Sequence, residues 1–328
     1  MNKTPKRLLS ALGPVLGLVF VVLLFALNPK CPEAFTSFYN AKTIITQTVI
    51  VGIGALGMTL VIISGGIDLS VGSQIALSTV VVATALNHFS GGGECGVAVA
   101  LIAAIAGIAA CGLCGWLNGY VTSRMRIVPF IVTLGTMQIA RGMAKWIGKE
   151  QTVITPANWL QNIMLVDPQP KWLIFAPGVW VTLVLLVGLA VVLKFTVFGR
   201  HVFAVGSNEQ TARLCGVNVH SKRVWIYTLC GMFTGIAGVM QYANLGVGDP
   251  TAAGGMELDI IAAVVIGGGS LNGGEGSAAG SIIGALIMAV LRNGCNMLGV
   301  PKYVQEIIIG VIIVCAVLID RLRHRRTA

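Results

Sequence analysis

The stretch of the chain that decides the fold is GMTLVIISGGIDLSVGS, residues 57–73. It closes one apolar run and opens another, and between them it places two adjacent glycines, Gly65 and Gly66, and one carboxylate, Asp68. Two glycines can end a helix in the left-handed conformation, and an aspartate can cap the free amides of the helix that follows. The stretch therefore predicts a break between two helices.

The composition predicts that these helices lie in lipid. Of the 328 residues, 55% are apolar and only 10% are charged, whereas a soluble globular protein carries about a quarter charged residues. A membrane-spanning helix needs about 20 mainly apolar residues. By that measure the sequence predicts an all-α polytopic membrane protein that forms one domain over residues 1–328. Its spans, about ten, are 8–27, 44–63, 70–87, 97–121, 128–147, 176–195, 223–243, 257–271, 277–292 and 303–320.

The positive charges indicate an orientation and exclude one class of partner. Most of the 22 lysines and arginines fall on segments that are cytoplasmic if the N-terminus is cytoplasmic, including the basic tail 321–328. Lysine and arginine accumulate in cytoplasmic loops, so we expect both termini in the cytoplasm. The positive charges behind the net charge of +10 are then explained by the orientation of the chain in the membrane. No water-exposed basic domain that could bind nucleic acid is predicted.

The sequence contains no motif of an enzyme. A phosphate loop of the form GxxxxGK[ST] is missing, since the only Gly-Lys pair, Gly148-Lys149, is followed by Glu150. The four histidines have no metal-ligand spacing among them. We therefore predict no catalytic residue and no metal site, and any coupling to ATP must come from another chain.

The broken helix admits two interpretations. One is a plain capped turn at the inner membrane surface. The other is a buried hinge beside a substrate pathway, because a break at membrane depth needs protein or a water-filled cavity around it, and such breaks often line transport sites. Polar groups in the spans suit sugar hydroxyls but could equally bridge helices. The candidate pathway or hinge residues are Gly65, Gly66, Asp68, Ser70, Gly72, Ser73, Gln47 and Asn118.

The predicted inner loop, about residues 196–222, contains a second signal. Ser207 and Gln210 have the spacing of a capping box, Glu209 and Arg213 form an i,i+4 pair, and Gly216 is a stop. These features predict a helix of about two turns, which is too short to be stable alone in water. It needs a docking surface, either on its own membrane domain or on a partner.

Three ordered motifs resemble the permeases of ribose/xylose/galactose-type ABC importers over roughly residues 40–320. They are the Gly65–Ser73 run preceded by Gly57–Ile62, the pattern Gly199-Arg200-x3-Ala204-x-Gly206-x-Asn208-x3-Ala212-x3-Gly216-Val217, and the pattern Ile266-Gly267-Gly268-x-Ser270-x3-Gly274-x-Gly276-Ser277.

The resemblance implies a pathway lined by two permease subunits, this chain and a second copy or a paralogue, in the cytoplasmic (inner) membrane of a bacterium. It implies ATPase subunits that hold ATP and Mg²⁺, a periplasmic or tethered sugar-binding protein, and no cofactor on this chain. A short cytoplasmic helix of such permeases inserts into a groove of the ATPase, and Ser207–Leu214 matches it, with departures at Thr211 and Cys215. The implied coupling residues are Gly199, Gly206, Ser207, Asn208, Glu209, Ala212, Arg213 and Gly216.

Other transport functions remain open. Related permeases carry branched-chain amino acids, so the cargo could differ. An ion-coupled secondary carrier would need ionisable residues deep in several spans. The acids Asp68, Glu257, Asp259, Glu306 and Asp320 mostly lie near predicted span ends, which argues against that class.

Overall fold

The structure, a computed structural model, describes residues 4–29, 31, 33–90 and 95–325, and within them the all-α prediction is confirmed. Two short strands, β1 (Val153–Ile154) and β2 (Val247–Gly248), pair antiparallel. Short 3-10 helices cover Glu33–Thr36, Trp159–Met164 and Lys171–Leu173. The α-helices are α1 (Thr4–Ala26), α2 (Phe38–Ile63), α3 (Val71–Ser90), α4 (Val97–Arg124), α5 (Pro129–Ile147), α6 (Pro177–Phe195), α7 (Val197–Ser207), α8 (Glu209–Leu214), α9 (Val219–Leu245), α10 (Met256–Ile266), α11 (Ala278–Met297) and α12 (Lys302–Arg325).

Each predicted span overlaps a helix, and five stretches of the described chain are long and apolar enough to cross a membrane. These are Phe38–Ile63, Val97–Arg124, Lys171–Phe195, Val219–Leu245 and Ala278–Met297. The chain is therefore a multi-pass membrane protein, while the count of ten spans and the cytoplasmic termini stay predictions. Of the basic residues behind that orientation, Lys3, Lys30 and Arg326 lie outside the described residues.

The predicted span 257–271 is wrong in its extent. α10 ends at Ile266 after 11 residues, which is about 16 Å of helix and too short to cross a bilayer. The amides of Gly268 and Gly269 donate to Val265 O and Val264 O, at 2.9 and 2.8 Å, and close the helix. The glycines after Ile266 therefore end the helix five residues before the end of the predicted span, which was already a short one.

The predicted inner loop 196–222 is also more ordered than expected, because it contains α7 as well as the short helix α8. α7 was not predicted. Thr196 caps it by accepting the Gly199 amide at 3.1 Å, and two of its own residues, Val202 and Val205, are buried against the protein. α7 therefore connects α6 to α8 as a rigid element.

The core forms around α2, which is buried along nearly its whole length from Thr48 to Ile63. A helix that is apolar on every side belongs in the interior of a bundle, and α2 packs against α6, α9, α10 and α11. α4 and α9 lie so close that Gly115 and Gly231 face each other, with no room for a Cβ on either. In contrast, α6 presents exposed valines, Val184, Val187 and Val191, as expected of a face in lipid.

Candidate functional site

The break after α2 uses its two glycines in different ways. Gly65 has φ +80° and donates to Ile62 O at 2.9 Å, and Gly66 donates to Val61 O at 2.9 Å. This is the paired hydrogen-bond pattern that ends a helix through a left-handed glycine. Gly66 has ordinary φ, but a Cβ there would lie 2.5 Å from the hydroxyl oxygen of Tyr227. Gly65 thus allows the chain to turn, and Gly66 leaves the space that Tyr227 of α9 occupies.

Asp68 lies inside the protein just before α3, but its side chain binds the amide of Ser70, which precedes the helix, and not the free amides within α3 that it was predicted to cap. Its Oδ1 accepts the Ser70 amide at 2.9 Å and the Ser70 hydroxyl at 2.5 Å. The Ser70 oxygen in turn accepts Gln74 Nε2 at 2.6 Å and Asn118 Nδ2 at 3.1 Å. Asn118 accepts the Thr136 hydroxyl at 2.5 Å. A chain of side-chain hydrogen bonds therefore connects the break to α4 and α5.

The centre of this network is fully buried, so the Asp68 side chain is enclosed by protein. Asp68, Ser70, Gln74 and Asn118 each have 0% of their surface exposed. Within the described part of the chain, Asp68 has no salt-bridge partner, so its carboxylate relies on neutral donors alone. A role of this break in transport stays a prediction.

The other predicted pathway residues are divided between two places. Gly72 and Ser73 are buried in the first turn of α3, where Gly72 adjoins the Glu257 carboxylate. Gln47 is exposed in the first half of α2, at the end opposite to the break. The structure therefore brings Asn118 to Asp68 but leaves Gln47 apart from it.

The α8 helix forms where it was predicted, with a different cap. Asn208, not Ser207, caps it by accepting the Thr211 amide at 2.9 Å, while Ser207 is the last residue of α7. The capping box was misplaced by one residue because α7 extends into it and uses Ser207. Gly216, at φ +82°, ends α8 by donating to Arg213 O at 3.0 Å.

Glu209 joins α8 to α9. Its carboxylate accepts Arg213 Nη2 at 2.7 Å, the predicted i,i+4 pair, and Arg223 Nη2 of α9 at 2.8 Å. Burial alone would raise the pKa of Glu209, but the hydrogen bonds and charges of Arg223 and Arg213 outweigh it and lower that pKa. The carboxylate is therefore ionised at neutral pH and holds α8 against the base of α9.

One side of α8 is buried and the opposite side is exposed. Ala212 is 3% exposed and packs with Val205 and Val219, whereas Leu214 is 89% exposed. Beside α8 lies a cavity of about 580 Å³, lined by Thr122, Ser123, Arg126, Ile127, Val128, Pro129, Glu209, Gln210, Arg213 and Arg223. α8 is thus held against the protein through its buried side. On its exposed side, Leu214 is an apolar side chain available for contact with another protein, and the neighbouring cavity is basic.

The three motifs of the sequence meet at one junction. Gly274 N–H donates to Ile63 O at 2.8 Å. Gly206 lies against the same carbonyl so closely that a Cβ on it would overlap the oxygen, and a Cβ on Gly273 would lie 3.0 Å from Gly65 Cα. Gly199 is packed equally tightly against the last turn of α6. The α7–α8 segment is therefore in direct backbone contact with the break that carries Asp68.

The body consists of packed apolar helices, one of which is broken at a buried polar turn. A short helix, α8, is anchored to this body. These features are typical of a polytopic membrane transport protein. Comparison with known proteins gives its family. Residues 40–317 match the family of permease components of branched-chain amino acid transport systems, and the chain belongs to this permease family. No solved structure matches the chain significantly.

Its relatives include sugar permeases. The ribose import permease of Escherichia coli K12 is 38% identical over 305 residues, covering 93% of this chain and 92% of the relative. The ribose import permease of Bacillus subtilis is 37% identical over 318 residues, 95% and 93% of the two chains. The fructose import permease of Rhizobium meliloti is 36% identical over 330 residues, 98% and 88% of the two chains. The resemblance to monosaccharide ABC permeases is confirmed.

Proposed function

We propose that this chain is the transmembrane permease subunit of an ATP-driven sugar importer, in the cytoplasmic membrane of a bacterium. The chain forms the path for the sugar and performs no chemistry on it. The observation that carries this proposal is α8, a capped helix that is anchored by Glu209 and leaves Leu214 exposed. The names of the relatives, import permeases for ribose and fructose, support a monosaccharide as cargo.

The energy comes from partners. A separate ATPase subunit binds ATP and Mg²⁺ and receives α8 in a groove, a periplasmic or tethered sugar-binding protein delivers the cargo, and a second permease copy or paralogue completes the pathway. The chain itself binds no cofactor. The residues that couple it to the ATPase are those of the α7–α8 segment, from Gly199 to Gly216.

The mechanism is alternating access. ATP binding and hydrolysis change the distance between the α8 helices of the two permeases, and each α8 pulls on its neighbours. The salt bridge from Glu209 on α8 to Arg223 on α9 transmits the movement to α9, and α7, which connects α6 to α8, transmits it to α6. The pathway then opens in turn to the binding protein and to the cytoplasm.

The first experiment is purification of the tagged chain from its native host in detergent, followed by uptake in proteoliposomes. We expect an ATPase with a Walker motif to co-purify, and labelled D-ribose or D-fructose to enter only with ATP. Entry of L-leucine instead would assign a branched-chain amino acid importer. Recovery of the chain alone, with uptake driven by an ion gradient after ATP depletion, would establish a secondary carrier.

A double variant tests the coupling segment. Changing Glu209 and Arg213 to Ala removes the anchor of α8, so we expect ATP hydrolysis that no longer drives uptake. The matched control is the double variant Lys42→Ala with Asp167→Ala, which removes the salt bridge between Lys42 on α2 and Asp167. Uptake per ATP at the wild-type value in the α8 variant would contradict the docking assignment.

A further inference from the structure

The cavity beside α8 is also lined by the α4–α5 turn, residues 125–128, and by its two flanking helix ends. Six of the lining residues lie within 122–129, three belong to α8, and one, Arg223, belongs to α9. Its volume of about 580 Å³ lies within the range of small-molecule sites, about 300–1,000 Å³. Leu214 is not among the lining residues. The cavity and the exposed side chain of Leu214 are therefore separate features of this end of the protein.

The lining carries an excess of positive charge. It contains three arginines, Arg126, Arg213 and Arg223, and a single carboxylate, Glu209. Glu209 accepts one Nη2 group from Arg213 and one from Arg223, and Arg126 forms no salt bridge within the described residues. A guanidinium has five N–H donors. Donors therefore remain on these arginines for an anion, and most of all on Arg126.

The start of α5 adds to this positive potential. α5 begins at Pro129, directly after Val128, and both residues line the cavity. Val128 makes no side-chain cap hydrogen bond to the helix. The N-terminus of a helix carries a partial positive charge and amides without intrahelical partners, which favour anions. A negative group in the cavity therefore meets the start of a helix as well as the arginines.

Exposed aromatic residues place the cavity near a membrane surface. Gly119 of α4 packs against the backbone of Val224 on α9, so their neighbours Tyr120 and Trp225 lie at one level of the helical body. Both of these side chains are exposed, and tyrosine and tryptophan concentrate where a membrane meets water. Arg223, which lines the cavity, is only two residues from Trp225. The cavity therefore lies at the level of lipid head groups.

An apolar surface continues from the cavity. Ile127 and Val128 line it and are exposed, and Phe130 and Ile131 in the first turn of α5 are exposed beside it. A basic cavity next to exposed apolar side chains matches both parts of a phospholipid. An acidic side chain of a soluble partner would match the arginines alone. Basic pockets between membrane helices are known to bind anionic head groups.

We propose that the cavity between the α4–α5 turn and α8 binds the phosphate of an anionic phospholipid. Arg126 and Arg213 donate to the phosphate oxygens, for which the guanidinium fork is well matched. The start of α5 stabilises the same charge, and the acyl chains extend over Val128 and Ile131. The lipid thus joins α8 to the α4–α5 turn, in addition to the salt bridge from Glu209 to α9. The site goes beyond the proposed function, since it depends neither on the cargo nor on an ATPase.

The test uses the full chain, purified in detergent with its co-purifying partners and stripped of lipid. Dioleoyl phosphatidylglycerol is titrated in, and native mass spectrometry detects its binding. Hydrogen exchange of residues 122–131 and 209–214 locates the site and gives the affinity. We expect slower exchange in both segments with phosphatidylglycerol. Dioleoyl phosphatidylcholine, which has a phosphate but no net charge, should bind at least about tenfold more weakly.

Two variants lower the positive charge of the cavity in different ways. Arg126→Gln removes the arginine without a salt bridge and should weaken phosphatidylglycerol binding about tenfold. Gln210→Glu adds a carboxylate to the lining at nearly constant size and should also weaken it. Arg124→Gln, at an exposed arginine of the last turn of α4 outside the lining, is the matched control and should bind as the wild type does. Unchanged affinity in both cavity variants would overturn the inference.

Two further arms separate other ligands of the arginines. Inorganic phosphate that slows exchange in the same two segments, when phosphatidylglycerol does not, would assign the cavity to free phosphate and overturn a lipid site. Release of a co-purified ATPase by Arg126→Gln, with lipid binding unchanged, would assign the arginines to an acidic surface of that partner. Equal affinities for phosphatidylglycerol and phosphatidylcholine would likewise contradict recognition of an anionic lipid.

Discussion

The amide of Gly274 donates to the carbonyl oxygen of Ile63 over 2.8 Å, across 211 residues of chain. Ile63 is the last residue of α2, and Gly274 belongs to the turn that follows α10. The end of α7 lies against the same carbonyl through Gly206. One carbonyl therefore joins the helix break, the glycine-rich turn and the segment that leads to α8.

Gly206→Ala should disturb this junction. The added methyl overlaps Ile63 O, and overpacking of this kind costs about 1–3 kcal/mol. We expect a lower thermal unfolding midpoint in detergent and a loss of uptake per ATP hydrolysed. Gly188→Ala on α6, where a Cβ meets nothing within 4 Å, should leave both unchanged. Equal thermal unfolding midpoints for the two variants would contradict this prediction, because they would show that the junction accommodates the added methyl group at no cost.

Asp68→Asn should destabilise the buried network although it keeps an acceptor for the Ser70 amide. The new amide would point its N–H groups toward Asn118 Nδ2, which is 3.5 Å from Asp68 Oδ2 and is itself a donor. Leaving a buried donor without an acceptor costs about 1–3 kcal/mol, which a thermal unfolding assay detects.

Two further variants make the Asp68 prediction specific. Exchange of the pair, Asp68→Asn with Asn118→Asp, restores an acceptor opposite the new donor and should recover part of the loss. Asp167→Asn, at an exposed carboxylate, should have little effect. If uptake by Asp68→Asn is normal, the charge of Asp68 has no role in transport.

Glu209 predicts a pH dependence confined to α8. Because its pKa lies below the ordinary value of 4.5, the ionised carboxylate stabilises α8 fully above that value. The contribution is lost as the pH falls through the lowered pKa. Hydrogen exchange of residues 209–217 should therefore be faster in Glu209→Gln than in the wild type at pH 7, and the difference should vanish in acid. Glu150→Gln should show no difference in these residues at either pH.

Arg292→Ala should lower the stability of the fold strongly, although the Arg292 side chain is partly exposed. Arg292 Nη2 contacts Asp259 Oδ2 at 2.5 Å, and the Asp259 side chain is 2% exposed. Removing one partner leaves a charge buried and unpaired, which costs about 3 kcal/mol. Adding Asp259→Asn should restore part of the unfolding midpoint, and a double variant no better than Arg292→Ala would refute this account.

Local signals were enough to predict most helices and the C-terminal end of α8. Left-handed glycines, caps and an i,i+4 pair act over a few residues, so Gly65, Gly216 and the Glu209–Arg213 pair could be read from the sequence. α7 was missed because its sequence lies in a segment predicted to be a loop, and the true end of α10 was missed because apolar composition alone does not mark where a helix stops. The capping position moved from Ser207 to Asn208 for the same reason, since α7 had not been foreseen.

The candidate sites depended on long-range contacts, and here prediction was partial. Asp68 and Asn118 were singled out separately by residue type, but only the fold brings them together through Ser70. Gln47 satisfied the same criterion and lies elsewhere.

The contact of Gly206 with Ile63 O has a mechanical consequence. With no side chain between them, the backbone of α7 bears on the backbone of α2, and packed interiors have low compressibility. A displacement of α8 therefore meets no soft layer that could absorb it. The contact between α7 and α2 is therefore rigid, and a small displacement of α8 should reach the turn before Asp68 undiminished.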